Sequence, residues 1–304
     1  MIRLPEGFVS TIKNGHKDKG ENWLLDLNRL ISECESRWEM KIGDPFDLSF
    51  NFVAPAIRSD GTDVVVKLVV PGEEFHFEVE ALRFFNGKGI AQLIDVDLDK
   101  GILILERLRP GSTLASLEND EEATYIASQV MKKLWIPAPH TSMVPTTVQM
   151  EKKLLEIHSE HKDGIGPISS EILKEAVETY GVVNGMMSNP YFLHGDLHHY
   201  NILKTGSQSW LAIDPKGLIG VREYDIIQYL LNKLPHENIV SVIEKRIEIF
   251  VEQLGLDKNM ILSCGFAHSV LATTWTVQED GCFDEKFFAG MNAFRSLGKE
   301  FGSL

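Results

Sequence analysis

The feature that most constrains this chain is a short polar run set between apolar segments: His194-Gly195-Asp196-Leu197-His198-His199-Tyr200-Asn201, with Asp214 thirteen residues beyond Asn201. Asp196 and Asn201 are five residues apart. Ile202-Leu203 and Trp210-Leu211-Ala212-Ile213 are apolar runs on either side of the turn-like Lys204-Thr205-Gly206-Ser207-Gln208, which is the pattern of a β-hairpin. Asn201 and Asp214 then stand at its open end on neighbouring strands, where Cβ atoms lie about 5 Å apart and cations can bridge them. Both offer oxygen, which suits magnesium.

Phosphoryl transfer asks little covalent chemistry of a protein. It needs an acceptor for the hydroxyl proton, metal ions to neutralise developing charge, and rigid placement of both. The Asp196 to Asn201 spacing is that of the kinase catalytic loop H-R-D-x-x-x-x-N, in which Asp takes the proton and Asn gives an oxygen to magnesium. Asp196 is therefore read as the base, with Asn201 and Asp214 as metal ligands.

A second group supports this. Lys67 lies in Val64-Val65-Val66-Lys67-Leu68-Val69-Val70 and shares a strand face with Val65 and Val69. A lysine there needs an anionic partner. In the helical pattern from Glu73 to Asn86, Glu78 falls on the apolar stripe of Phe75, Val79, Leu82 and Phe85, whereas Glu80 falls on the opposite face. Glu78 is the expected partner; the plainer alternative is an edge-strand lysine that snorkels to water.

Together these segments resemble the aminoglycoside and hydroxyurea phosphotransferases, nearest to the streptomycin 6-phosphotransferase branch of the kinase-like fold. The resemblance rests on Leu193 to Leu203, on Ile213-Asp214-Pro215-Lys216-Gly217 with Gly220 and Tyr224-Asp225, on Asp60-Gly61 before Val66-Lys67-Leu68, and on Leu105-Glu106-Arg107-Leu108 with Pro110-Gly111. It implies an ATP-dependent, magnesium-dependent enzyme that phosphorylates a hydroxyl of a small molecule, an aminoglycoside such as streptomycin or a hydroxyurea-like compound. It also implies that Lys67 and Glu78 hold the ATP phosphates, that a reduced loop at Gly61 approaches them through backbone N–H groups, and that Glu106 to Leu108 contact adenine. Asp225 resembles a buried carboxylate that braces the catalytic loop, against the alternative of a surface acid at a helix N-terminus. His194 and His198 are read as orienting the loop by hydrogen bonding. No G-x-G-x-x-G occurs, and Tyr200 stands where that branch often has Gly.

Two rival readings remain open at this point. His194, Asp196, His198 and His199 form H-x-D-x-H-H, a set that could hold zinc in a hydrolase. A kinase homologue that binds nucleotide without turnover is the other, although Asp196, Asn201 and Asp214 are all present.

The remaining pattern fits an α+β, protein-kinase-like fold of two lobes. A small N-terminal lobe of strands and one helix, residues 1–108, would bind nucleotide; a mainly helical lobe, 109–304, would carry the catalytic and acceptor sites, with ATP and magnesium in the cleft between. Helical patterns lie near 120–134, 149–160, 170–187, 222–233, 238–254 and 258–276, and Asn22 to Ile31 adds an amphipathic helix before them. The net charge of −14 disfavours a nucleic-acid partner and tolerates a cationic small molecule. Glu279-Asp280 and Asp284-Glu285 near Trp275 would favour a cationic acceptor. No apolar stretch is long enough for a membrane span or a signal peptide, so a cytoplasmic location is expected, and Cys34, Cys264 and Cys282 read as free thiols.

Overall fold

The computed structural model describes residues 4–278 and 280–300. The chain forms two compact units. One runs to Gly111 and takes in Thr205–Ser209; the other comprises Ser112–Lys204 and the chain from Trp210 onward.

The first unit begins with helix α1 (Glu6–Arg37), broken at Lys17, where φ is 49°. Strands β1 (Met40–Ile42), β2 (Phe52–Arg58) and β3 (Asp63–Leu68) follow, then helix α2 (Glu73–Phe85) and strands β4 (Leu93–Asp97) and β5 (Ile102–Glu106). They make one sheet in the order β1-β2-β3-β5-β4, with every neighbouring pair antiparallel. Alternation on β3 sends Val64, Val66 and Leu68 into a core with Trp23, Leu27, Leu30, Ile31 and Cys34 of α1. Lys67 and Val65 therefore share the other face. Helix α2 ends on Asn86, in the left-handed region at φ 46°. Asn tolerates that conformation through its short polar side chain.

Strand β6 (Pro110–Thr113) leads into the second unit. Its helices are α3 (Asp120–Leu134), α4 (Thr147–Glu160), α5 (Ser170–Gly185), α6 (Arg222–Asp225), α7 (Ile227–Leu231), α8 (Ile239–Leu254), α9 (Lys258–Thr276) and α10 (Glu285–Glu300). Strands β7 (Ile136–Pro137), β8 (Tyr191–Leu193) and β11 (Leu218–Gly220) form a small sheet in the order β11-β8-β7, and β9 (Ile202–Thr205) pairs with β10 (Ser209–Ala212) as the hairpin. Helix α9 is the core of the unit, buried at nearly every position from Ile261 to Thr274.

Two helical readings are corrected. The pattern over 222–233 splits at Ile226 into α6 and α7, and α7 stops at Leu231, where the buried Arg246 guanidinium takes the carbonyls of Tyr229, Leu230 and Asn232. Helix α10 lies beyond those patterns, and of the acids near Trp275, Asp280 and Asp284 lie between α9 and α10 while Glu285 opens the latter. Its apolar residues Met291, Phe294 and Leu297 are buried, Phe294 packing over Gly265 of α9. The three cysteines are free thiols. No helix among the described residues is long and apolar enough to cross a membrane.

Candidate active site

In the first unit, the Lys67 ammonium donates to Glu78 Oε1 at 2.7 Å. Both side chains are buried, at 6% and 10% exposure, so the snorkelling alternative does not hold. Each charge offsets part of the desolvation cost of the other. The turn after β2 satisfies itself: Gly61 N–H donates to Arg58 O at 2.9 Å and Thr62 N–H to Asp60 Oδ1 at 2.8 Å. A phosphate contact through Gly61 would require those bonds to be exchanged. Glu106 is tied to Gln92, donating its N–H to Gln92 O and accepting the Gln92 N–H on Oε2; Leu108 is buried.

In the second unit the polar run leaves β8 at Leu193. Gly195 adopts φ 82°, and a Cβ there would sit 3.3 Å from Leu218 Cβ, so the tight passage beside β11 needs glycine. His194 is fully buried. Its Nε2–H donates to Ile213 O at 2.9 Å and its Nδ1 accepts the Asp196 N–H at 3.2 Å. Burial pulls this imidazole down to about 4, against the opposing hydrogen bond to Ile213 O, and the neutral ring ties the loop to the end of the hairpin.

Asp225 lies beneath, 2% exposed. Its Oδ1 accepts the Gly195 N–H at 2.8 Å; its Oδ2 accepts the His194 N–H at 3.3 Å and the Trp135 indole N–H at 2.9 Å. Burial raises this carboxyl above its ordinary range, against those same hydrogen bonds. The surface-acid alternative for Asp225 is thereby excluded.

Asn201 closes the loop in a single turn of 3₁₀-helix, His199–Asn201. Its Nδ2 donates to Asp196 O at 3.0 Å, which turns Oδ1 away as the available donor atom. Its own carbonyl accepts the Ile213 N–H at 2.9 Å, so Asp214 follows directly from a residue bonded to Asn201. Asp214 stands at φ 61°, a region that a residue with a Cβ enters at a cost and that clusters at working sites. Its charge acts on His194, Asp196 and His198. Two oxygen donors at the end of one hairpin fit a hard divalent cation.

The Asp196 carboxylate is largely enclosed, with 19% of the side chain exposed. Lys216 Nζ lies 3.4 Å from Oδ2 and His198 Nε2 4.0 Å from Oδ1. Burial raises the Asp196 carboxyl, and the charges of Lys216 and His198 oppose the rise.

The zinc set does not assemble. Both His194 ring nitrogens are engaged, and His198 Nδ1 accepts the Tyr200 N–H at 3.2 Å. His199 turns away, stacked on Tyr229 with centroids 4.0 Å apart and Nε2 3.9 Å from Asp120 Oδ1. Among the described residues, no group of three or more His, Cys, Asp or Glu is arranged to hold a metal.

Three contributors escaped the sequence reading: Lys216 beside Asp196, Trp135 on Asp225, and the Asp120–Arg246 pair behind His199. Arg246 is 1% exposed and reaches Asp120 through Nε at 2.9 Å and Nη2 at 2.6 Å. An arginine in the apolar run of α8 was the available signal.

Comparison with known proteins extends the geometry. Residues 37–281 match the family described as aminoglycoside/hydroxyurea antibiotic resistance kinase. Streptomycin 6-kinase of Streptomyces glaucescens is 28% identical over 289 residues, covering 92% of each protein. Hydroxyurea phosphotransferase of Kitasatospora aureofaciens is 27% identical over 303 residues, covering 92% of this chain and 82% of that one. Among solved structures, a choline/ethanolamine kinase family protein from Mesorhizobium loti superposes with a TM-score of 0.64 at 11% identity, over 91% of this chain and 97% of the other. A choline kinase of Streptococcus pneumoniae does so at 0.62 and 11%, over 89% and 99%. These likenesses fix the α+β kinase-like fold. The activity is that of a small-molecule kinase using ATP, not of a zinc hydrolase. Since the family match begins at the end of α1 and runs past α9, taking in both the buried lysine and the loop from His194 to Asn201, this chain belongs to the aminoglycoside/hydroxyurea antibiotic resistance kinase family.

Proposed function

We propose that this kinase transfers the γ-phosphoryl group of magnesium-ATP to a hydroxyl of an aminoglycoside such as streptomycin, or of a hydroxyurea-like compound, with Asp196 as the base. The observation that carries the reading is the hydrogen bond from Asn201 Nδ2 to Asp196 O. It joins the proton acceptor and a metal ligand into one rigid turn, and phosphoryl transfer depends chiefly on such placement.

Asp196 accepts the hydroxyl proton as the acceptor oxygen bonds to the γ-phosphorus and the bond from that phosphorus to the bridging oxygen breaks, the oxygen leaving with ADP. Asn201 and Asp214 would hold magnesium, which when bound neutralises charge on the phosphate oxygens. His194 and Asp225 position the loop through backbone bonds. In the first unit, Lys67, steered by Glu78, is assigned to the nucleotide phosphates, Gly61 to the loop that approaches them, and Glu106 and Leu108 to the adenine.

For the acceptor, the relatives named above act on streptomycin and hydroxyurea. A cationic acceptor suits the net charge of −14 and the exposed Asp280, Asp284 and Glu285; Glu279 lies outside the described residues. Trp275 is half exposed, and Lys153 Nζ already lies 6.0 Å above its ring, the arrangement in which an aromatic face receives a cation. Asp280 and Asp284 also accept the Cys282 and Lys286 backbone N–H groups, so they shape the loop between α9 and α10.

The test is ADP release from magnesium-ATP with streptomycin, hydroxyurea and a panel of hydroxylated amines. Asp196→Asn is expected to lower turnover by about 10²–10⁴-fold with nucleotide affinity preserved. Near-normal turnover in that variant removes Asp196 from its role, and no ADP release with any hydroxylated compound removes the acceptor assignment.

A further inference from the structure

We propose that Lys216 is a positioning residue for phosphoryl transfer: its ammonium holds one oxygen of the Asp196 carboxylate so that the other faces the acceptor hydroxyl. The inference rests on Asp196 being the base.

The backbone brings Lys216 to this place. Leu218 pairs with Leu193 across β11 and β8, and the N–H groups of Lys216 and Gly217 both donate to His194 O, at 2.9 and 3.0 Å. Gly217 makes the reversal at φ 72°, where glycine has no steric cost. The Lys216 Cα is therefore pinned across from the start of the catalytic loop, within a side chain's reach of Asp196.

The two oxygens of Asp196 are then inequivalent. Oδ2 has the ammonium at 3.4 Å. Oδ1 receives no hydrogen bond among the described residues; its nearest cationic neighbour, His198 Nε2, is 4.0 Å away, too far for one. Lys216 is the only ammonium or guanidinium within 4 Å of this carboxylate among the described residues. A carboxylate rotates about its last torsion in a broad well. Without a partner on Oδ2, no hydrogen bond to the carboxylate among the described residues selects the orientation that presents Oδ1.

Stability does not account for the pair. The Lys216 side chain is 63% exposed, and an exposed ion pair adds little to folding free energy. Orientation of a general base is a larger matter, since small misplacement of a reacting group can cost about 10²-fold in rate.

The experiment is a double-mutant cycle on turnover with magnesium-ATP and streptomycin, or with water as acceptor if streptomycin is not phosphorylated. Lys216→Met is expected to lower kcat by about 10–100-fold with the KM for ATP and the thermal midpoint unchanged, and Lys216→Arg to recover most of the loss. In an Asp196→Asn background, Lys216→Met is expected to add nothing, because a residue that acts through Asp196 has no base left to position. A wild-type kcat for Lys216→Met overturns the proposal. So does a loss that multiplies with that of Asp196→Asn, or one confined to the KM for ATP. If Asp196→Asn itself turns over normally, the base assignment falls instead, and the two failures are distinct.

Discussion

Lys67 and Glu78 show how a single pair separates structural from functional burial. Breaking a buried ion pair strands a charge and costs about 3–5 kcal/mol, whereas replacing both partners with apolar residues is often neutral or stabilising. Glu78→Ala should therefore lower stability by roughly that amount. Lys67→Met combined with Glu78→Leu should restore it. If the lysine serves nucleotide phosphates, the double variant should still fail to bind ATP. Urea unfolding together with calorimetry against a non-hydrolysable nucleotide reads both quantities. Recovery of stability and of nucleotide affinity together would make the pair purely structural. Both residues were legible before the fold was known, because a charge on a β-branched strand and a charge on an apolar helical stripe each demand an explanation. Lys216 carried no such mark: it sits in a polar turn, and only the return of β11 onto β8 brings it to Asp196.

At the scale of elements, the catalytic loop is held from below by α6 and from the side by the end of α3. Asp225 on α6 takes three donors on two oxygens. An asparagine has one acceptor oxygen. With that oxygen on Gly195 N–H, its NH₂ confronts His194 N–H and the Trp135 indole; flipped, it confronts Gly195. Each orphaned buried donor costs about 1–3 kcal/mol. Asp225→Asn should lower the unfolding midpoint and reduce kcat more than the KM for ATP, since the loop loses its anchor while Lys67 and Glu78 are untouched. A variant that melts early but keeps its kcat would make Asp225 a folding residue alone. The helix patterns of α3, α4, α5, α8 and α9 were readable from apolar spacing, and the structure adds side-chain caps such as Asn119 and Asp257. The end of α7 at Leu231 was not, because it follows from Arg246, which arrives from α8 to take the carbonyls of Tyr229, Leu230 and Asn232. Tertiary contact outweighs local periodicity there.

For the molecule as a whole, the second unit has placed neutral histidines where water cannot reach, and that sets how it responds to acid. His194 bonds Ile213 O and the Asp196 N–H. His268, 5% exposed on α9, lies between Tyr224 Oη at 2.8 Å from Nδ1 and Gln228 Nε2 at 3.2 Å from Nε2. Burial draws both imidazoles from 6.5 down to about 4, for His194 against the Ile213 bond and for His268 with Lys216 adding to the fall. Between those limits the unfolded chain binds protons that the folded chain refuses, so stability rises with pH there. As pH falls from 6.5 toward 4, each histidine withdraws on the order of 3 kcal/mol. Asp196 and Asp225, raised by burial, act in the opposite sense, so the histidine share is read from variant against wild type at the two pH values. Urea unfolding of the wild type should show a lower free energy at pH 5 than at pH 7 where the histidines outweigh those carboxyls. His268→Asn, whose amide can replace the Nδ1–H toward Tyr224, should reduce that difference whatever it does to stability at pH 7. An equal difference in the variant and the wild type would mean that His268 titrates alike in both states and that the burial of α9 does not govern it.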